Sequence, residues 1–171
     1  MTVDATVDAT KAPAPFVVAA DDGEALWFLG QLLTVKASAA TTGGGSTLVE
    51  GVAAQGPASP MHVHSRESEW WYVLEGELVV WAAGKVIEAP AGSFVYGPVG
   101  VPHTSSIVSP PARFLLGTDP AGFEGFLRAG AQPAGAATLP PVGTPAADPA
   151  RLTELAAQYG IDIIGPPGIP G

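Results

Sequence analysis

Every histidine of this 171-residue chain falls in one spaced pattern suited to holding a metal ion. His62 and His64 belong to Gly56-(x5)-His62-x-His64-(x4)-Glu69-(x6)-Gly76. His103 closes Gly92-(x5)-Pro98-x-Gly100-(x2)-His103. Imidazole is the commonest side-chain metal ligand, and Glu69 adds a hard anionic oxygen. A strand sends alternate side chains to opposite faces, so His62 and His64 project the same way, close enough to chelate one ion. Glu69 has the opposite parity. Residues 65–68 must therefore turn or bulge, and Glu69 opens the next strand. Glu67 shares the parity of Glu69 and is the alternative carboxylate ligand; otherwise it is a solvated turn residue. The turn over residues 98–102, tightened by two prolines and Gly100, delivers His103. Three neutral imidazoles and one carboxylate leave positions open on a six-coordinate ion, as a catalytic site requires. The expected cofactor is one divalent transition metal, and iron, nickel, manganese, copper and zinc all suit these ligands.

The elements that must position these residues are short strands. The pattern predicts them at 25–29, 32–37, 47–53, 61–64, 69–74, 78–81, 85–87, 94–96, 103–108 and 113–116, with Gly and Pro in nearly every gap. Close-set strands without helical patterns between them argue for an all-β sandwich or barrel. Residues 1–15 read as a flexible arm, small, polar and Pro-containing. Residues 16–130 form the barrel domain, ending in a short helix over 120–129 that packs Phe123 and Phe126 on a barrel end or lines the pocket mouth. Residues 131–147 read as a Pro/Gly/Ala-rich linker. A helix over 149–159 follows, with Asp148 as N-cap, Pro149 at its first position and Gly160 just beyond its end. The remaining IDIIGPPGIPG reads as a tail running out through prolines and glycines.

Composition narrows the function. Seven basic against sixteen acidic residues give a net charge of −9, which argues against nucleic acid or an anionic membrane as partner. The absence of cysteine excludes disulfides and thiolate chemistry. No segment reads as a signal peptide or a bilayer span, so a cytoplasmic location is expected.

The two spaced motifs resemble those of the cupin superfamily. GPASPMHVHSRESEWWYVLEG matches every fixed position of the first, and GSFVYGPVGVPHTSSI matches the second except at its end, where Ile107 replaces the usual Asn. Fifteen residues separate Gly76 from Gly92, close to the short spacing of microbial single-domain members. The motif-bearing core covers residues 56–107. The resemblance implies a cupin-type β-barrel, a jelly-roll or double-stranded β-helix, with short C-terminal helices. The segments RFLLGTDPAGFEGFLRAG and YGIDIIGPP look like small bacterial cupins described as quercetin 2,3-dioxygenase-like.

The pocket follows from strand parity. If Glu69 points inward, so do Trp71 and Val73; Ser105 and Ile107 share the face of His103; Phe94 and Tyr96 share a face of their own strand. The expected lining of Trp71, Val73, Phe94, Tyr96 and Ile107 is apolar and aromatic, and suits an apolar or aromatic small molecule. The opposite face of the Glu69 strand carries Trp70, Tyr72 and Leu74. Such a face needs a cover, either the N-terminal strand or the second subunit of a homodimer. The expected function is that of a metal-dependent dioxygenase acting on a flavonol-like or other enolisable aromatic. Glu69 serves as both ligand and general base, as the resemblance to quercetinases implies. The alternative is a redox-neutral cupin, polyketide-cyclase-like or isomerase-like, or a non-catalytic binding protein.

Overall fold

The structure is a computed structural model that describes residues 13–57, 59–145 and 147–170. Most of the expected N-terminal arm, residues 1–12, lies outside the described residues. Eleven strands form one sheet: β1 (Glu24–Phe28), β2 (Gln31–Ala37), β3 (Thr47–Ala53), β4 (Gly56–Pro57), β5 (Pro60–His64), β6 (Ser68–Ala82), β7 (Lys85–Pro90), β8 (Phe94–Gly97), β9 (His103–Asp119), β10 (Gln132–Pro133) and β11 (Ile161–Pro167). Three helices accompany them: α1 (Ala39–Thr42), α2 (Phe123–Gly130) and α3 (Pro149–Gln158). The all-β reading of the sequence holds.

Two long strands organise the sheet. The pairs of short strands expected at 69–74 with 78–81, and at 103–108 with 113–116, are each one continuous strand, β6 and β9. They run antiparallel along nearly their whole length, Ser68 opposite Asp119 and Ala82 opposite His103, with register shifts between Val73 and Leu78. Gly76 makes the bend of β6 possible. Its φ is +73°, and a Cβ there would lie 2.5 Å from the Ser109 carbonyl oxygen. The first half of β6 lies between β8 and the second half of β9, which continues through β3, β2 and β1 to β10. The second half of β6 lies between β7 and the first half of β9, which continues to β4, β5 and β11. The sheet thus folds over on itself at the bends.

Between the two faces lies the core. Val49, Val73, Leu78, Val80, Ile107 and Phe114 are all buried, following the alternation that one dry face imposes. At one end, α2 contributes Phe123, Phe126 and Leu127, and α3 contributes Leu152 and Ala156. Asp148 caps α3 by accepting from the Ala150 amide at 2.9 Å. Glu124 is buried on α2. Its carboxylate accepts from the Thr47 hydroxyl and from the amides of Ala39 (2.8 Å) and Gly122 (3.1 Å), tying α2 to β3 and α1.

The C-terminal residues correct the sequence reading. Residues 161–167 are not a tail: they are β11, paired antiparallel with β5, Ile161 opposite His64 and Ile163 opposite His62. An edge strand tolerates the prolines that argued against a strand, and the register shifts around Gly165 blur its alternation. β10 likewise draws the start of the expected linker onto β1. Because Ile161 is buried in the core, Ile161→Ala should destabilise the protein by roughly 2–4 kcal/mol. Urea denaturation checks this; a free tail would leave the midpoint unchanged.

Candidate metal centre

The four residues singled out by spacing meet between the two faces of the sheet. His62 and His64 come from β5, and His103, the first residue of β9, stands opposite His62 in register. Glu69 comes from the other face, where the first half of β6 pairs with β8 and the far end of β9. All four are buried, and one potential ligand atom from each lies within 4.8 Å of all the others.

The outward nitrogens of the rings settle which atoms face the centre. His62 Nδ1 lies 2.8 Å from the Pro60 carbonyl oxygen, and His103 Nδ1 lies 2.9 Å from that of Val101. A carbonyl can only accept, so each Nδ1 carries the proton and donates. His64 Nδ1 donates to Glu67 Oε1 at 3.0 Å. In a neutral imidazole protonated at Nδ1, the lone pair sits on Nε2. The three Nε2 atoms therefore converge: that of His62 is 3.1 Å from that of His64, and Glu69 Oε2 lies 2.8, 3.2 and 3.6 Å from those of His103, His64 and His62. Lone pairs crowded this closely need a shared cation. Ligand atoms about 2.1 Å from one ion stand about 3 Å apart when set at right angles, which is the spacing found. The donor set fits a divalent transition metal, and the residues that would hold it are His62, His64, Glu69 and His103.

Electrostatics point the same way. Burial pushes the His62 imidazole below its ordinary value, against the pull of Glu69, and so favours the neutral ligand form. Burial also opposes charge on His64, but Glu67 and Glu69 outweigh it and raise that pKa to about 9. Burial would raise Glu69, yet hydrogen bonds from His103, His62 and His64 hold its carboxyl well below the usual range.

Glu67 is the residue the sequence reading placed wrongly. It is neither a ligand nor a solvated turn residue: it is buried behind His64 and fixes that ring through Nδ1. The residues 65–67 between β5 and β6 fold Glu67 back toward β5, which strand parity alone does not reveal.

The cavity beside the four ligand atoms is lined by Phe28, Leu29, Gln31, Leu33, Ser59, Pro60, Trp71, Leu78, Ser105, Phe114, Leu116, Phe123, Phe126, Leu152, Ile161 and Ile163, together with His62 and Glu69. Trp71 lies where parity put it, and Phe123 and Phe126 line the cavity as well as pack. Val73 and Ile107 are buried in the core but do not reach the cavity. Val73 shares the inward face of Glu69 but lies farther along β6, opposite Phe114, whose ring reaches the cavity in its place. Phe94 and Tyr96 are a plain correction. They lie outside the cavity, 60% and 54% exposed on β8, with Phe94 against the ring of Trp70. Tyr96 stands opposite Trp70 and Phe94 opposite Tyr72, so they share the outward face of β6. Phe28, Leu29 and Ser59 were missed. Ser59 falls within the first motif, in the interval before His62, but no periodicity marks β1 as a cavity wall.

Comparison with known proteins agrees with this geometry. The cupin domain family matches residues 48–116, a span that holds all four candidate ligands, β6 and most of β9. Over these residues the chain is similar to the cupin domain family. It is 27% identical over 114 residues to quercetin 2,3-dioxygenase of Bacillus subtilis (strain 168), covering 67% of this chain and 34% of that protein. The chain thus spans about a third of the length of that curated relative. Among solved structures it is similar to KdgF from Halomonas sp. (TM-score 0.56, 16% identity, 64% of this chain and 98% of that one). It is also similar to a predicted oxalate decarboxylase from Thermotoga maritima (TM-score 0.55, 17% identity, 63% and 99%). A third is Pac13 of Streptomyces, a nucleoside dehydratase (TM-score 0.54, 18% identity, 63% and 84%). These structures share the β-barrel fold. No helix among the described residues is long and apolar enough to cross a membrane.

The hydrogen bond from His64 Nδ1 to Glu67 predicts a measurable role for a residue that touches no ligand atom at the centre. Glu67→Ala should weaken metal affinity by roughly 10–100-fold, the usual effect of removing such a support. Competition with a chromogenic chelator measures it; unchanged affinity would make Glu67 dispensable.

Proposed function

We propose that this cupin is a metal-dependent dioxygenase acting on a flavonol-like or other enolisable aromatic small molecule. The observation that carries this reading is Glu69. Its Oε2 sits among three Nε2 atoms at an apolar cavity whose lining includes Trp71 and only a few polar groups, Gln31, Ser59 and Ser105 besides His62 and Glu69. Likeness to a quercetin 2,3-dioxygenase supports the same reading.

A bound divalent ion supplies a positive charge that favours an anionic enolate or phenolate oxygen at the site. The chain's residues do the rest. His62, His64 and His103 hold their Nε2 lone pairs inward through fixed Nδ1 donors. Glu69 takes the proton whose loss creates the substrate anion and keeps it on its carboxylate. Trp71 lines the cavity that the chelating oxygens enter, and the apolar walls exclude water from the anion.

Two measurements test this. Metal-loaded protein should consume oxygen with 3-hydroxyflavone, and Glu69→Gln should keep much of the metal yet lose turnover by at least ~100-fold. Near-wild-type turnover in the metal-loaded variant would remove the base role. Conversion without oxygen uptake would instead assign a redox-neutral cupin, cyclase-like or isomerase-like, and binding without conversion a non-catalytic one.

We further propose a homodimer. Tyr72, Phe94 and Tyr96 lie exposed together around β8, whose only strand partner among the described residues is β6, and a second copy would cover this aromatic face. Sizing chromatography should give a dimer and Phe94→Glu/Tyr96→Glu a monomer; a monomeric wild type would refute the assembly.

A further inference from the structure

The cavity at the four ligand atoms has a volume of about 70 Å³. A cavity of ~150 Å³ holds one benzene ring in a protein interior, so this one admits chelating oxygens and little more. A far larger groove of about 1040 Å³ adjoins it. The two share Phe28, Leu29, Ser59, Pro60, Leu152 and Ile163, so the groove is the outward continuation of the cavity.

The groove's outer walls lie beyond the residues that match the cupin family. They come from β1, from residues 140–145 and Ala147, from the first turns of α3 and from the end of β11. Among the described residues, none that lines the groove is charged, although the chain has a net charge of −9. Its polar side chains are Ser59, Gln132, Thr144 and Thr153; the rest is aliphatic, aromatic, glycine and proline. Trp27 is the large aromatic of the outer wall. Its indole N–H already donates to the Thr138 carbonyl at 2.8 Å, so the ring has no hydrogen bond left to offer a ligand. Pro140, Pro141 and Pro145 present apolar rings without N–H donors. Such a surface takes a flat uncharged ring and discriminates against sugars, phosphates and carboxylates.

We propose that this groove is a second subsite, which binds the distal aromatic ring of an extended substrate whose chelating end enters the inner cavity. The proposal rests on the dioxygenase reading and narrows its substrate class. The substrate has at least two ring systems, and the C-terminal segment selects for the second one.

Thr153 tests the subsite without disturbing the core. It is exposed on α3, lines the groove, and its hydroxyl donates only within its own helix, to the Pro149 carbonyl. Zinc-loaded protein is titrated with 3-hydroxyflavone and with 3-hydroxy-4-pyranone, the chelating ring alone, following the absorbance change on chelation. Wild type should bind the flavone at least about tenfold more tightly, the gain expected from burying a further aromatic ring. Thr153→Trp, which places an indole in the groove where the distal ring would lie, should abolish that advantage and leave pyranone binding within about twofold. If pyranone binds but the flavone has no advantage, or the variant leaves that advantage intact, the subsite is refuted and the metal reading stands. If neither ligand gives a chelation signal, the metal reading fails and takes the subsite with it.

Discussion

Four electron pairs brought within a few ångströms of one another in a dry interior repel unless a cation lies among them. The arrangement of His62, His64, His103 and Glu69 imposes that constraint, and much of the fold can be read as the means of meeting it. Histidine ligands stand on one face of the folded sheet and the carboxylate on the other. The two faces must therefore be held at a fixed separation. β6 and β9 do this by belonging to both, each bending from one face into the other. Gly76 earns its place through the backbone contact at that bend, where no side chain fits.

The ring orientations depend on a second layer of contacts. Two of the three outward nitrogens bond to backbone carbonyls only two residues from their own histidine, so the local chain path sets the ring. His64 uses a carboxylate instead, and that carboxylate costs something: it must be buried beside a ring that it makes more basic. A proton thus competes with a metal at His64 more strongly than at His62, where burial favours the neutral ring.

What could be read from the sequence depended on whether parity or pairing decided the matter. Parity put His62 with His64 and turned Glu69 and Trp71 inward, because one buried face per strand leaves no other register. It could not orient Phe94 and Tyr96, since two aromatics at i and i+2 look alike on either face. The pairing of β8 with β6 decided it, and they lie outside. Val73 and Ile107 face inward but lie away from the cavity, a distinction of depth that no periodic pattern carries. β11 was hidden for a different reason. Its partner is the strand of His62 and His64, distant in sequence, and its own composition of alternating isoleucines followed by glycine and proline resembles a chain end. α3 was legible because its signals are local, Asp148 and Pro149 at one end and Gly160 beyond the other.

The position of β11 has a consequence for how the molecule is made. Until residues 161–167 have left the ribosome, β5 lacks the strand that pairs with it on one side. Two of the three imidazoles therefore lack that flanking strand until β11 is made. The surroundings of the two imidazoles are completed by a strand far downstream of β5, so the final geometry of the cluster follows closure of the barrel.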